Sequence, residues 1–327
     1  MGCDQGQNTG ECLFDYLSPR NKERRFWYVF HQKVCSEAFW LFWFHTIGGC
    51  GDILVLWSSS TFRGDVLEKK PFGITISFTS VHNNETWKLT NVYGPCIEPA
   101  RTEFITWFRD QEIEDDDNWI FLGDFNFYRL LSNRNKPGGC LSDMFIFNDA
   151  IGHLGLVELP LKGRAFTWSN MQADPLLEQL DWFFTSPNWM IDYPNAEVLP
   201  MAKITSDHIP CKVAISTSMP RSNIFRFENY WVEQEDFLET VQNSWLTAPN
   251  MHTATRTISS KFKSLRSALK MWSKGISNLK LLIGNCNLVI CFLDSLEDRR
   301  GLFNLEINLR AAVKRQLEAW LKCKNLY

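Results

Sequence analysis

Trp119-Ile120-Phe121-Leu122-Gly123-Asp124-Phe125-Asn126 decides the fold of this 327-residue chain. A short apolar run closed by glycine is the pattern of a buried strand. Glycine lets the chain turn where the strand ends, and Asp124 and Asn126 project from that carboxyl end. Strand alternation puts both on one face.

Upstream, Thr102 to Gln111 places Phe104, Ile105 and Phe108 at helical spacing, so a helix precedes this strand. Trp87 to Tyr93, Ile74 to Phe78 and Ile53 to Trp57 read as earlier strands. Strand, helix, strand is an α/β rhythm. The aromatic stretch from Phe26 to Phe44 lacks clean alternation and reads only as strand fragments. Downstream, Phe145 to Ala150 reads as a helix, and Phe166 to Trp168, Leu180 to Phe184 and Cys211 to Ile215 as strands. The composition changes near residue 220. Phe227 to Trp245 then looks helical, and Leu282, Val289, Leu293, Leu296, Phe303 and Ile307 form a helical apolar stripe. Over residues 282–307 that stripe fits either a helical partner or packing within the chain.

Hydrophobic residues at 45% and charged residues at 22% are ordinary globular proportions and argue against disorder. The charges segregate. Residues 1–221 carry 19 Lys and Arg against 27 Asp and Glu, and residues 222–327 carry 15 against 10. An acidic domain is a poor general nucleic-acid binder, so any DNA contact there is local or metal-assisted. Ten cysteines without a CxxC pair or histidines at zinc spacing indicate neither a metal ribbon nor a disulfide framework. The sequence shows no signal peptide and no run able to span a bilayer, so the expectation is an intracellular chain, nuclear or cytoplasmic, that is not secreted.

Three further segments carry chemistry. Ser206-Asp207-His208-Ile209-Pro210 precedes a strand. Asp207 there can offer oxygen to a hard cation, and His208, once protonated beside a carboxylate, can donate to a phosphate oxygen. Asp181 interrupts the buried run Leu180 to Phe184, and a buried carboxylate is costly unless paired, so it is the natural partner of His208. Asn91-Val92-Tyr93-Gly94-Pro95 ends a strand in a turn and presents a phenol. Phosphodiester hydrolysis asks for such groups: a metal to polarise the phosphate, a base to orient water, and donors for the developing charge. Read singly, the Gly-Asp-Phe-Asn segment also fits a capping turn, and Tyr93 also fits a core residue.

Taken in order, NVYGP (91–95), GDFN (123–126), FTWSN (166–170), LDWFF (180–184) and SDHIP (206–210) resemble the endonuclease/exonuclease/phosphatase superfamily. Arg134 to Gly139 and Leu154 to Trp168 resemble in particular the endonuclease of plant LINE-type non-LTR retrotransposons. The resemblance implies a two-sheet α/β sandwich of the DNase I-like type over residues 35–220. Residues 1–34 would be a divergent N-terminal segment, and 221–327 a helical extension like the linker to a reverse transcriptase. It implies a Mg (or Mn) cofactor and DNA as substrate. Asp124 matches the base, Asn126 the amide beside it and Tyr93 the phenol near the scissile phosphate. His208 matches the phosphate-contacting imidazole, oriented by Asp181, and Asp207 a metal-linked carboxylate. Thr167 and Trp168 match a motif lining the nucleic-acid side of the cleft, with Ser206 on the same phosphate.

The family's first strand carries an active-site asparagine, and its second ends in a metal-binding glutamate within Gln-Glu-Thr-Lys. Neither is recognisable in residues 1–34, and Arg20 stands about where the glutamate belongs. The implied fold is thus incomplete at its N-terminus, and a cation in place of a carboxylate weakens metal binding. Gln179 stands where relatives carry arginine. Impaired nicking is one expectation, and an inactive remnant or helix-mediated interaction protein the other.

Overall fold

The computed structural model describes residues 39–45, 52–172, 174–204, 206–215, 225, 227, 231–232, 234–276 and 278–325. Residues 1–34, with Arg20 and the expected loss of the early motifs, lie outside the described residues. The chain divides into two compact units, residues 1–219 with 294–301, and residues 220–293 with 302–327.

In the first unit the strands are β1 (Phe39–His45), β2 (Asp52–Ser58), β3 (Phe62–Lys70), β4 (Gly73–Ser80), β5 (Thr86–Tyr93) and β6 (Trp119–Asp124). After them come β7 (Val157–Glu158), β8 (Trp168–Ser169), β9 (Leu177–Glu178), β10 (Asp181–Thr185), β11 (Glu197–Pro200) and β12 (Cys211–Ala214). Helices α1 (Ala100–Arg109), α2 (Leu141–His153) and α3 (Pro187–Asp192) intervene. Among the described residues the main sheet has six strands in the order β3-β4-β5-β6-β10-β7. Only β5 and β6 run parallel within it, and α1 is their crossover.

The run that decides the fold is buried along its whole length. Alternation splits it between two cores. Ile120 and Leu122 join Ile74, Ile76, Leu89 and Phe183 against Ile53, Val55, Val198 and Val213 of the shorter hairpins. Trp119 and Phe121 face the other way, onto Phe104 and Phe108 of α1 and Phe147, Ala150 and Ile151 of α2. One face of the sheet is thus covered by strands and the other by helices, which is the expected two-sheet α/β sandwich. Between the strand layers, Asn91 Nδ2 donates to the Leu54 carbonyl (3.3 Å).

Two elements differ from the sequence reading. Strand β3 was not anticipated, because Phe-Arg-Gly-Asp-Val-Leu-Glu-Lys-Lys is rich in charge. It is an edge strand with alternate residues exposed, where charge is tolerated and discourages pairing with other chains. The Phe166 to Trp168 strand shrinks to the two residues of β8.

The second unit contains α4 (Phe237–Thr247), α5 (Ala254–Ile276), most of α6 (Asn278–Glu297) and α7 (Asn304–Asn325). Within it Trp245 packs edge-on against Phe262, with ring centroids 5.4 Å apart, and Trp272 meets Phe237 at 5.6 Å. The helix expected from Phe227 begins only at Phe237. The stripe over 282–307 is not one helix, since α6 ends at Glu297 and α7 starts at Asn304, with Gly301 between them. The stripe is therefore divided between two helices. No helix of the described residues is long and apolar enough to cross a membrane.

Residues 294–301, which group with the first unit, contribute a buried charge cluster to it. Asp298 accepts from Arg164 Nε (2.8 Å), Arg164 Nη2 (2.9 Å) and the Ala165 amide (2.9 Å), and Asp294 lies 3.4 Å from the same guanidinium. The bidentate geometry offsets the cost of taking these charges out of water.

Candidate active site

The site lies where the carboxyl ends of the inner strands β5 and β6 meet the start of β10. Parallel pairing sets Tyr93 beside Asp124, and antiparallel pairing sets Asp181 on its other side. Directly opposed residues share a face, so register alone draws the three into one row, on the strand-covered side of the sheet.

Two glycines permit this. Gly123 has φ +135°, and a Cβ there would stand 2.1 Å from the Val92 carbonyl oxygen. A Cβ on Gly94 would stand 2.0 Å from the Phe125 carbonyl oxygen, because the Gly94 amide donates to the Asp124 carbonyl at 2.7 Å. The strand ends close on each other at that point, and only glycine fits.

Asn126 then enters the left-handed region at φ 55°, which asparagine tolerates better than most residues. Its amide N–H donates to Asp124 Oδ1 (3.0 Å), and its Nδ2 to Asp124 Oδ2 (3.1 Å) and the Gly94 carbonyl (2.7 Å). Asn126 therefore holds the Asp124 carboxylate in a fixed orientation.

His208 reaches the row from the loop before β12. That loop is fixed by pairing with the β8 segment: the Ile209 amide donates to the Thr167 carbonyl (2.8 Å) and the Ser169 amide to the Asp207 carbonyl (3.0 Å). Ser206 Oγ accepts from the His208 amide at 3.0 Å and shapes the same turn. The imidazole lies between two carboxylates, Nδ1 at 2.8 Å from Asp181 Oδ2 and Nε2 at 3.7 Å from Asp124 Oδ2. The first is a hydrogen bond, and the second is ion-pair contact only.

Burial opposes a charge on His208. The Asp181 carboxylate and its hydrogen bond, then Asp124 and Asp207, overcome it and push the imidazole up to about 9. It is a cation at neutral pH. Asp124 is pushed up to about 7, first by burial and then by the Asp181 charge, while His208 and Asn126 pull the other way. A carboxylate with this affinity for protons at neutral pH is suited to proton transfer. Burial raises the Cys211 thiol, with the Asp181 charge adding to it, so Cys211 is not a nucleophile here.

Of the expected site residues, Asp124, Asn126, Tyr93, Asp181 and His208 come together. Asp207 stands at the margin, one carboxylate oxygen accepting from Trp168 Nε1 at 3.1 Å. Thr167 does not line a cleft as expected. It is fully buried, and its hydroxyl accepts from the amides of Leu180 and Asp181, both at 3.0 Å. Its work is to hold the start of β10. Trp168 is half-buried and anchors Asp207. Gln179 lies outside the row and accepts from Asn133 Nδ2 at 2.8 Å.

Among the described residues no group of three or more His, Cys, Asp or Glu side chains is placed to hold a metal ion. The hard oxygen donor expected for Mg is present in Asp207, but the described residues do not complete a set around it.

Arg101 escaped the sequence reading because no motif surrounds it. It donates to the carbonyls of Asn126 (2.9 Å) and Pro95 (3.2 Å), pairs with Asp143 (2.8 Å), and lies 3.8 Å from the centre of the Phe127 ring. It thus ties together the ends of the two motifs. Beside it a cavity of about 620 Å³ opens, lined in part by Asn126, Tyr128, Asp143 and Glu178.

No protein-family model matches the chain. Over 244 residues it is 26% identical to an uncharacterized 149 kDa protein of transposon TX1 from Xenopus laevis, covering 71% of this chain and 18% of that protein. The chain thus spans about a fifth of the relative's length. The kinship with transposon proteins expected from the motifs is borne out. Among solved structures, the endonuclease domain of TRAS1, a telomere-specific non-LTR retrotransposon, aligns at 14% identity and TM-score 0.43, covering 55% of this chain and 80% of that one. The catalytic domain of Xenopus laevis APE2 aligns at 13% and 0.43, covering 56% and 79%.

Proposed function

We propose that the first unit is a phosphodiester-cleaving domain of the retroelement endonuclease kind, acting on DNA. The observation that carries this reading is the row Tyr93, Asp124 and Asp181 with His208 wedged between the two carboxylates. In this reading Asp124 accepts the proton of an attacking water, whose oxygen bonds to phosphorus as the bond to the leaving oxygen breaks. The leaving oxygen takes its proton from solvent. His208, kept cationic by Asp181, donates to a non-bridging phosphate oxygen and offsets the charge gathering there. Tyr93 presents its phenol beside Asp124, and Ser206 and Trp168 frame the approach.

A divalent ion such as Mg or Mn, when bound, polarises the phosphate, and Asp207 is the residue that would meet it. In this reading nicking is slow and needs high metal concentration, because Arg20 stands about where the family carries its metal-binding glutamate and a cation there repels the ion. Supercoiled plasmid incubated with the full chain and Mg or Mn tests this. Slow conversion to the nicked form, abolished by Asp124→Ala and by His208→Ala, is the expected result. No nicking at any metal concentration overturns it.

The same Arg20 substitution favours a second reading, a catalytically inactive remnant. Thermal melting with and without Mg separates the two, because a ligand that binds only the folded state raises the midpoint. The remnant shows no shift.

A further inference from the structure

Charge in the second unit is gathered on one helix. From residue 240 to 293 the chain carries seven Lys and Arg and not one Asp or Glu. Six of the seven lie on α5, whose first turn has no acidic residue to complement the helix dipole. At about 100° per residue, Arg256, Lys263, Arg266, Lys270 and Lys274 fall within an arc of roughly 80°, along roughly 27 Å of helix. All five are exposed, and Ser259 is an exposed hydroxyl in the same arc.

A solvated helix face ordinarily mixes charges of both signs, as α7 does with Glu306 and Glu318 among Arg310, Lys314 and Arg315. On α5 like charges stand three and four residues apart instead, Lys263 with Arg266, Arg266 with Lys270, and Lys270 with Lys274. Such pairs repel and weaken the helix, and an anion held along the face removes the repulsion. Among the described residues no ion pair engages Arg256, Lys263, Arg266 or Lys270, and Arg266 lies 5.9 Å from the centre of the Phe225 ring.

The opposite side of α5 is engaged within the unit. Leu269 is buried, Phe262 packs on Trp245, and Trp272 packs on Phe237 and Trp231. A helix that lies on a membrane sinks that apolar side into lipid, so this arrangement does not suit one. The exposed side is a straight cationic ridge, and its complement is a linear polyanion. A DNA duplex carries one negative charge per about 1.7 Å of its axis and releases counterions to cations that neutralise it.

The first unit lacks such a surface. With 27 acidic against 19 basic residues over 1–221, it gains little from contact with a DNA backbone. Resting on the DNA-cleaving reading above, we infer that the cationic face of α5 binds the phosphate backbone of duplex DNA and supplies the chain's sequence-independent affinity for its substrate. Covalent linkage to α5 then raises the concentration of DNA around the first unit.

The test uses the full chain and an Arg256→Gln/Lys263→Gln/Arg266→Gln/Lys270→Gln variant. The control, Arg63→Gln/Lys69→Gln/Lys70→Gln/Arg109→Gln, removes as many exposed cations from β3 and the end of α1. Binding of a fluorescent duplex is followed by anisotropy over a range of salt, in EDTA so that nothing is cut. The logarithm of affinity falls with the logarithm of salt by about 0.9 for each phosphate neutralised. The α5 variant should therefore show a slope shallower by roughly three to four, and bind at least about tenfold more weakly at low salt. The control should keep the native slope, as should Arg256→Lys/Arg266→Lys, which keeps the charge. Neither quadruple variant should melt below the native chain.

An α5 variant with the native slope overturns the inference, as does a control that loses as much. So does a native chain that binds single-stranded RNA more tightly than the duplex at the same salt, or that binds phosphatidylserine vesicles through these residues and no duplex. Cleavage fails separately. A chain that holds the duplex through α5 but never nicks it refutes the catalytic reading and leaves the α5 surface standing. Nicking with the same salt dependence in the native chain and the α5 variant does the reverse.

Discussion

Asp124 and Asp181 are direct cross-strand neighbours, the last residue of β6 opposite the first of β10, both buried on one face. Like charges so placed repel, and the sheet tolerates them because His208 lies between them. The three residues behave as one unit that shares protons.

Asp181→Asn should therefore undo the imidazolium. It removes the strongest influence raising the His208 proton affinity and leaves burial, which lowers it. The His208 titration, followed by NMR, should fall from about 9. Any nicking activity should drop by about two orders of magnitude, the scale of a lost positioned proton donor. An unchanged titration would show that Asp181 does not orient the ring.

Stability should fall as pH rises through neutrality. His208 is raised from 6.5 to about 9, so its contribution is complete below about 6.5 and lost on passing about 9. Asp124 is raised from 3.8 to about 7, so it too favours the folded state when protonated and ceases to as pH passes about 7. In both cases the folded chain binds more protons than the unfolded one, which gives stability a negative slope with pH. Activity needs Asp124 unprotonated and His208 protonated, so nicking should peak between about 7 and 9, where stability is already declining. Melts and rates measured in one buffer series check both. A midpoint that climbs from pH 6 to 9 would contradict the assignment of these proton affinities.

Gly94→Ala tests the closeness of the strand ends. Its Cβ would overlap the Phe125 backbone, which cannot move without shifting Asn126 and the held Asp124 carboxylate. A loss on the order of 1–3 kcal/mol is expected, the scale of local backbone strain, with activity lost beyond what the lower stability explains. Gly155→Ala, at a turn where a Cβ meets nothing within 4 Å but φ is +64°, should carry only the backbone part of that cost.

How far the sequence revealed this depends on where each signal lies. The β6 run and Gly123 were legible because a buried central strand and its turn are written in consecutive residues. The pairing of Asp181 with His208 was legible from the cost of an isolated buried carboxylate. Strand β3 was not, because an edge strand has no need of an apolar pattern. Arg101 was not, because its partners lie far along the chain and meet it only in the fold. The break between α6 and α7 is not legible, because apolar spacing continues across Gly301 while the helix does not.

Thr167 is placed where its hydroxyl supports β10, a different role from the one the resemblance implies, and it yields the sharpest substitution. Its hydroxyl accepts two amides, those of Leu180 and Asp181, at the point where β10 begins. Thr167→Val keeps the shape and β-branching but leaves two buried N–H groups without their acceptor. Each such group costs about 1–3 kcal/mol, so the variant should be clearly destabilised. Because Asp181 moves with its own backbone, the His208 proton affinity should also fall, although no atom touching His208 has been changed. Thr167→Ser keeps the hydroxyl and should restore the His208 titration even where some packing stability is lost. Were Thr167 a substrate contact, Thr167→Val would weaken DNA binding and leave both stability and the His208 titration as they are. Melting, titration and binding measured on the two variants therefore distinguish a residue that positions Asp181 from one that touches DNA.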